Sequence, residues 1–219
     1  MKKKQLIISI ICLCVLGAII LYLFSNYQNT SAKRPKDKYS LNVAQIQSSF
    51  DKDGDGIDDQ TDILQGALEY IATRPKYKSK YYQTGYSDDE YGVCTDVVAN
   101  ALRSAGYDLM KLVQDDIVEN PEDYDMEEPD ANIDFRRVKN LEVYFSHTAI
   151  PITTDITEIE EWQGGDIVIF KNHIGIVSDR RNKKGVSYVI HHNGFMQKSY
   201  EEDILETRTD IVGHYRISE

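Results

Sequence analysis

The spacing of apolar positions divides the chain into a helical first half and a strand-rich second half. Apolar residues recur at helical spacing in the first half and form short, separate runs in the second. Helices are predicted over residues 61–73, 94–105, 109–118 and 138–145. Strands are predicted over residues 167–170, 174–177, 186–190 and 211–217. This order indicates an α+β domain in which helices pack on a small antiparallel sheet.

An uncharged apolar segment precedes this domain. Residues 6–24 carry no charge, and at roughly 1.5 Å per residue they would form a helix of about 28 Å, close to the hydrocarbon thickness of a bilayer. Lys2, Lys3 and Lys4 come first, so the positive-inside rule places the N-terminus in the cytoplasm and the rest outside. We therefore expect residues 1–24 to be a single-pass membrane anchor. The alternative is a cleaved signal peptide, although the apolar run is longer than the core of such peptides.

Composition changes after the apolar segment. Residues 25–49 are rich in Asn, Gln, Ser, Thr and Lys and poor in large apolar residues, which predicts a flexible tether. The remaining residues suffice for one domain. The chain has 36 acidic and 25 basic residues and a formal net charge of −11, so nucleic acid is excluded as a partner for the surface as a whole.

Aspartates recur at alternate positions of residues 50–62, just before the first predicted helix. They occupy positions 1, 3, 5, 9 and 12 of a loop that starts at Asp51, with glycine at position 6. This is the ligand spacing of an EF-hand calcium loop. We therefore expect a structural calcium ion, and no redox cofactor; the alternative is a charged turn that caps the helix. The predicted ligands are Asp51, Asp53, Asp55, the carbonyl of Ile57, Asp59 and Asp62.

One cysteine remains outside the apolar segment. Cys12 and Cys14 lie within that segment, so the domain has only Cys94 and cannot form an internal disulfide. Cys94 starts a predicted helix, where backbone N–H groups and the helix dipole favour a thiolate. The alternative is a small buried side chain without chemistry.

Histidines at the ends of two predicted strands suit a partnership with Cys94. His173 opens a strand after a short hairpin link and is predicted to be the general base. His191 ends the next strand, where it is expected to accept the Nδ1 proton of His173 and fix its tautomer. His192 points to the opposite face by strand alternation and ranks below His191, with Asn193 as a weaker third choice. A zinc site is disfavoured because closely paired ligands are lacking. The histidines expected to be structural or surface residues are His147 and His214.

Several motifs occur in an order that resembles a known family. They are Gly92-Val93-Cys94-Thr95-Asp96-Val97-Val98, then Gly165-Asp166-Ile167-Val168-Ile169-Phe170, then His173-Ile174-Gly175-Ile176-Val177, then Val189-Ile190-His191. Together they resemble the NlpC-type papain-like cysteine peptidases, which are largely bacterial cell-wall enzymes. Residues 129–138 and 213–216 look more closely like one branch, the domain of unknown function 1287. The resemblance covers about residues 60–217.

The resemblance implies a papain-like fold over residues 60–219, with a helical lobe that carries the cysteine and a sheet that carries both histidines. It implies a thiolate at Cys94, a base at His173 and a polar orienting residue at His191. It also implies amidase or peptidase activity on peptidoglycan peptides through an acyl-enzyme, by a domain outside the bacterial cell membrane.

Two further residues are candidates for binding substrate. Arg136 could bind a substrate carboxylate through two hydrogen bonds; the alternative is an ion pair with the acidic loop of residues 119–134. Tyr91 is expected to line the cleft beside Cys94; the alternative is that it covers core. Two other functions stay open, a calcium-stabilised wall-binding module without catalysis and an acyltransferase on the same fold.

Overall fold

Helices and strands segregate along the chain in the computed structural model, which describes residues 2–26, 28–194 and 196–218. The helices are α1 Lys2–Asn26, α2 Asp59–Ala72, α3 Cys94–Ser104, α4 Leu109–Glu119, α5 Ala131–Asp134 and α6 Val138–Thr148, with 3₁₀ turns at Pro121–Asp123 and Leu205–Thr207. The strands are β1 Lys76–Tyr77, β2 Tyr91–Gly92, β3 Ile150–Pro151, β4 Ile167–Phe170, β5 His173–Arg181, β6 Ser187–Ile190, β7 Glu201–Glu202 and β8 Ile211–Arg216.

The main sheet has the strand order β3-β8-β4-β5-β6-β7, and every neighbouring pair is antiparallel. β1 and β2 form a separate parallel pair. The α+β class with a small antiparallel sheet is thus confirmed. β4 and β5 form the predicted hairpin, in which Phe170 pairs with His173. His173 therefore stands at the mouth of a two-residue turn.

Both faces of the central strands are buried, which explains why these strands are continuous apolar runs. One face packs against the helices through Ile167, Ile169, Ile174, Ile176 and Ile190. The opposite face forms a smaller cluster of Trp162, Val168, Phe170, Val177, Val189 and Leu205. Burial of each large apolar side chain contributes about 1.5–3 kcal/mol, so the sheet is held firmly between two layers.

Helices α2 and α3 approach each other closely at Gly66. A Cβ atom at this position would clash with the Ser104 side chain and lie 3.1 Å from the carbonyl oxygen of Ala101. Glycine is thus the residue that this approach requires. Because α3 begins at Cys94, the packing of α2 fixes the helix that carries the cysteine.

The segment after α1 differs from the flexible tether predicted for residues 25–49. Ser31 donates its N–H to the carbonyl of Lys198 and accepts from the N–H of Tyr200, at 2.9 and 3.0 Å. Arg34 forms ion pairs with Asp179 and with the buried Glu201. We call residues 28–50 the strap, because they run along the domain from residues 198–200, next to β7, past Arg181 at the end of β5 to Asp58 before α2. The prediction was wrong because backbone pairing with a sheet edge needs no apolar pattern.

α1 coincides with the apolar segment of the sequence. Its described apolar side chains are largely exposed, as for Leu13 at 68%. In the part of the chain that the structure describes, no helix is both long and apolar enough to cross a membrane. The anchor expected at residues 1–24 stays a prediction.

Candidate active site

Cys94 is the first residue of α3. Its predecessor Val93 is the N-cap, in extended conformation, and donates its N–H to Asp96 Oδ2 at 2.8 Å. The backbone before it is crowded, because any side chain at Gly92 would clash with the Tyr70 hydroxyl. The helix start predicted at Cys94 is confirmed, and the half-buried thiol lies at the helix N-terminus.

Asp96 also holds Arg136, which corrects the predicted role of that arginine. Arg136 Nε and Nη2 donate to the two carboxylate oxygens of Asp96 at 2.8 and 2.9 Å, and Nη1 donates to the carbonyl of Lys80. The two side chains are only 1% and 2% exposed. Arg136 therefore braces the start of α3 and is not free to bind substrate, and its partner is Asp96 rather than the acidic loop.

The sulfur of Cys94 lies against the start of β5. Burial raises the pKa of the thiol to about 11, while the backbone N–H groups of Ile174 and Thr95 oppose this rise and the charge of Asp96 adds to it. The cysteine is therefore a neutral thiol at pH 7, in contrast to the thiolate expected from its helix position. Loss of water around the sulfur outweighs the helix N-terminus.

His173 and His191 come together as predicted, through a different ring atom. Nε2 of His173 lies 2.9 Å from Nδ1 of His191, and the rings meet edge to face at 5.0 Å. The expected use of Nδ1 of His173 is wrong, because the contact is made by Nε2. Burial, then the charge of His191, lowers the pKa of His173 to about 3, so this imidazole is neutral.

Glu202 extends the pair of histidines into a chain of three groups. Its Oε2 lies 3.3 Å from Nε2 of His191, and Gln197 Nε2 donates to the carbonyl of His191 at 3.1 Å. Burial pushes the pKa of Glu202 up, but the hydrogen bond from His191 outweighs it and the net pKa is lowered. A carboxylate here favours the N–H of His191 on Nε2, which leaves Nδ1 to accept the Nε2–H of His173.

His192 faces away from His191, as strand alternation predicts. Its Nε2 lies 3.0 Å from the amide nitrogen of Gln28 in the strap, and its ring meets the edge of Tyr77 at 5.2 Å. Burial, with a contribution from the charge of Cys94, raises the pKa of Tyr77. Tyr77 thus lies near both Cys94 and His192, a position that helical or strand spacing does not reveal.

Comparison with known proteins identifies the family of this domain. The sequence model of the domain of unknown function 1287, DUF1287, matches residues 64–217. The chain belongs to the DUF1287 family. A relative described as the uncharacterized protein YijF of Escherichia coli (strain K12) is 40% identical over 167 residues, which cover 70% of this chain and 80% of the relative. No solved structure matches.

The Gly165-Asp166 motif of the DUF1287 domain is structural. Asp166 is fully buried and accepts hydrogen bonds from Arg216 at 2.8 and 2.9 Å and from Gln60 at 2.8 Å. His214 Nε2 lies 3.1 Å from the same carboxylate, and its ring stacks on Trp162 at 3.9 Å. His214 is therefore a structural residue of the interior.

Two further residues considered in the sequence analysis, His147 and Tyr91, also lie in the DUF1287 domain. His147 contacts Asp116 at 2.8 Å near the surface, which fits a structural role. Tyr91 pairs with Lys76 through the β1–β2 ladder, and the ammonium groups of Lys78 and Lys80 stand 5.1 and 4.7 Å from its ring centre. Its role in lining a cleft stays a prediction.

The aspartate-rich loop of residues 51–62 lies just before the matched part of the DUF1287 domain. Carboxylate oxygens of Asp51, Asp53 and Asp55 lie within 4.8 Å of one another. Asp59 points elsewhere: it is fully buried, and its carboxylate accepts from the N–H of Lys52 at 2.8 Å and from the hydroxyl of Tyr107. Its predicted role as a direct ligand is corrected, because its carboxylate is fully buried between the N–H of Lys52 and the hydroxyls of Tyr107 and Ser218.

Proposed function

We propose that this DUF1287 protein is a papain-like, NlpC-type cysteine hydrolase that cleaves amide bonds through an acyl-enzyme on Cys94. The observation that supports it best is the chain His173–His191–Glu202 at the start of β5, where the Ile174 N–H approaches the Cys94 sulfur. A nucleophile, a base and groups that orient the base are the parts that this chemistry requires.

The proposed reaction starts from a neutral thiol and a neutral imidazole. As the sulfur attacks the substrate carbonyl carbon, Nδ1 of His173 takes the thiol proton. The resulting imidazolium donates Nε2–H to His191, whose own Nε2–H faces Glu202, so the new positive charge is stabilised along the chain.

The second half of the reaction returns the proton. The imidazolium of His173 gives its Nδ1 proton to the leaving amine as the C–N bond breaks, which leaves a thioester on Cys94. His173 then takes a proton from water as the water oxygen attacks the thioester carbon. The carboxylic acid product departs, and the sulfur regains its proton.

We propose peptidoglycan peptides as the substrate class. This rests on the resemblance to cell-wall peptidases and on the exterior location predicted from residues 1–24. A test incubates the full-length chain, in mild detergent, with purified peptidoglycan and identifies released fragments by mass spectrometry. The Cys94→Ala variant should release none, whereas the matched variant Cys12→Ala/Cys14→Ala, which keeps Cys94, should release them at the wild-type rate. Full release by Cys94→Ala would overturn the proposal.

A second candidate is a wall-binding module without catalysis. It is favoured by the same burial that raises the pKa of Cys94 to about 11 and lowers that of His173 to about 3, since an inert pair would tolerate both shifts. Such a protein would sediment with purified wall material and release no fragments. An acyltransferase would instead form the thioester and pass the acyl group to an added amine.

A further inference from the structure

The loop of residues 51–62 folds around the carboxylate of Asp51. One oxygen of Asp51 accepts the N–H of Gly54 at 2.8 Å, and the other accepts the N–H of Gly56 at 2.9 Å. Both glycines have positive φ, 78° and 94°, which other residues rarely adopt. This conformation turns the carboxylates of Asp53 and Asp55 toward that of Asp51, within 4.8 Å.

Asp62 supplies an independent observation. It is only 7% exposed, and its carboxylate makes no hydrogen bond or ion pair with any residue among 2–26, 28–194 and 196–218. The charged groups that face it are the carboxylates of Asp55, Asp53, Asp51 and Asp58. A largely buried carboxylate that faces like charges and has no hydrogen-bond partner among these residues is a position that a bound cation would stabilise.

We propose that this loop binds one calcium ion through the carboxylates of Asp51, Asp53, Asp55 and Asp62 and the backbone carbonyl of Ile57. Calcium takes six to eight oxygen ligands in flexible geometry, whereas magnesium demands a near-ideal octahedron and keeps its waters. Water completes the coordination, also at the ninth loop position, where EF-hand loops often use it. Asp62 lies outside the 4.8 Å group of the other carboxylates, so the ion draws its carboxylate inward.

The position of the ion assigns it a structural role. The loop joins the strap to α2: the N–H of Asp59 donates to the carbonyl of Phe50 at 2.9 Å, and the N–H of Ser48 donates to Asp58 at 3.0 Å. On its other side the loop packs against the end of α3, where a Cβ on Gly106 would lie 3.0 Å from Cβ of Asp53. The ion therefore fastens the strap to the two helices that position Cys94.

The test measures cation binding directly on the full-length chain in mild detergent. Calorimetry should show one calcium per chain with a Kd of about 10⁻⁴–10⁻³ M, the range of extracellular sites. Terbium should bind the same site and emit by energy transfer from the nearby Tyr107, and calcium should displace it. The melting temperature should rise with calcium.

Matched variants distinguish calcium binding at this loop from nonspecific attraction of calcium to the negative charge of the protein. Asp51→Asn and Asp62→Asn should each weaken calcium binding about 10-fold or more, because each removes a charged ligand. Asp125→Asn, which removes an equal charge from the exposed acidic loop, should leave binding unchanged. If Asp62→Asn fails to fold, calcium binding by Asp51→Asn and the terbium signal of the wild-type chain test the site instead.

Three results would overturn the proposal: no saturable calcium binding up to ~10 mM, well above the range of extracellular sites; magnesium binding as tight as calcium binding; or equal weakening in Asp125→Asn. These outcomes are independent of hydrolysis, so the calcium site and the cysteine hydrolase can fail separately.

Discussion

Two polar clusters of the domain differ in how completely their groups are paired. In the Asp166 cluster, made of Asp166, Arg216, His214 and Gln60, the buried carboxylate is met by donors from three side chains. Hydrogen bonds from His214 and Arg216 outweigh its burial and lower the pKa of Asp166.

In the Cys94 cluster, made of Cys94, His173, His191 and Glu202, burial instead holds the thiol and His173 in their neutral forms. Nε2 of His173 contacts His191, and Nδ1 is the atom that takes the thiol proton in the proposed reaction. The difference is that a buried carboxylate met by several donors secures the fold, whereas the neutral thiol and the neutral imidazole carry the proposed chemistry.

The largest expected effect is on the stability of the Asp166 cluster. Asp166→Asn should lower the free energy of unfolding by about 3–5 kcal/mol, because it removes the buried charge that accepts two hydrogen bonds from the guanidinium of Arg216. Urea unfolding monitored by circular dichroism measures this. Asp210→Asn is the matched control: it breaks an Arg–Asp pair that is partly exposed and should cost under about 1 kcal/mol. Equal losses of unfolding free energy in both variants would show that Asp166 stabilises the fold no more than a partly exposed ion pair does.

The next effect is on catalysis by the Cys94 cluster. His173→Gln should lower kcat/KM for a peptidoglycan peptide by about 10³-fold, within the usual contribution of a general base. Unfolding by urea should change far less than in Asp166→Asn, since His173 carries no charge in the folded state. Activity that stays within twofold of wild type would show that His173 is not the base.

A smaller effect is expected at Glu202, which we treat as a positioning residue. Glu202→Gln should lower kcat about 10-fold and leave KM unchanged, because the charge that orients His191 is lost while the cleft is kept. The pH profile supplies a reading that a structural role would not change: the pKa that governs kcat should shift downward, since the imidazolium loses its distant counter-charge. An unchanged pH profile would show that Glu202 does not act through His191 on His173.

The smallest effect concerns thiol reactivity. In a Cys12→Ser/Cys14→Ser background, iodoacetamide should label Cys94 slowly at pH 7, and the rate should keep rising above pH 9, because burial raises the thiol pKa to about 11. An ordinary thiol of pKa about 8.5 would already level off there. The unfolded chain in urea serves as the control. A rate that is flat from pH 6 upward would demonstrate a resting thiolate.

Local patterns predicted much of this fold. Apolar spacing gave the helices α2, α3, α4 and α6, and short apolar runs gave β4, β5, β6 and β8 within a few residues. Strand alternation separated His191 from His192, since both faces of β6 are specified by its neighbours.

Contacts between distant residues escaped prediction. Glu202 lies in the two-residue strand β7, too short to show a period. Arg136 pairs with Asp96, which is 40 residues away in the sequence, and Asp59 accepts a hydrogen bond from Tyr107, which is 48 residues away. The strap pairs through its backbone, which its polar composition does not reveal. Sequence periodicity shows which face of a helix or strand is buried, whereas these pairings depend on the completed tertiary structure.

The central claim, that Cys94 is the nucleophile, is tested most directly by trapping the acyl-enzyme. The full-length chain is mixed with a peptidoglycan peptide, quenched in acid to preserve a thioester, digested and examined by mass spectrometry. We expect the fragment that contains Cys94 to gain the mass of the acyl group and the Cys94→Ala variant to show no adduct and no turnover. Undiminished turnover by Cys94→Ala, with no adduct at Cys94 in the wild-type chain, would contradict the claim.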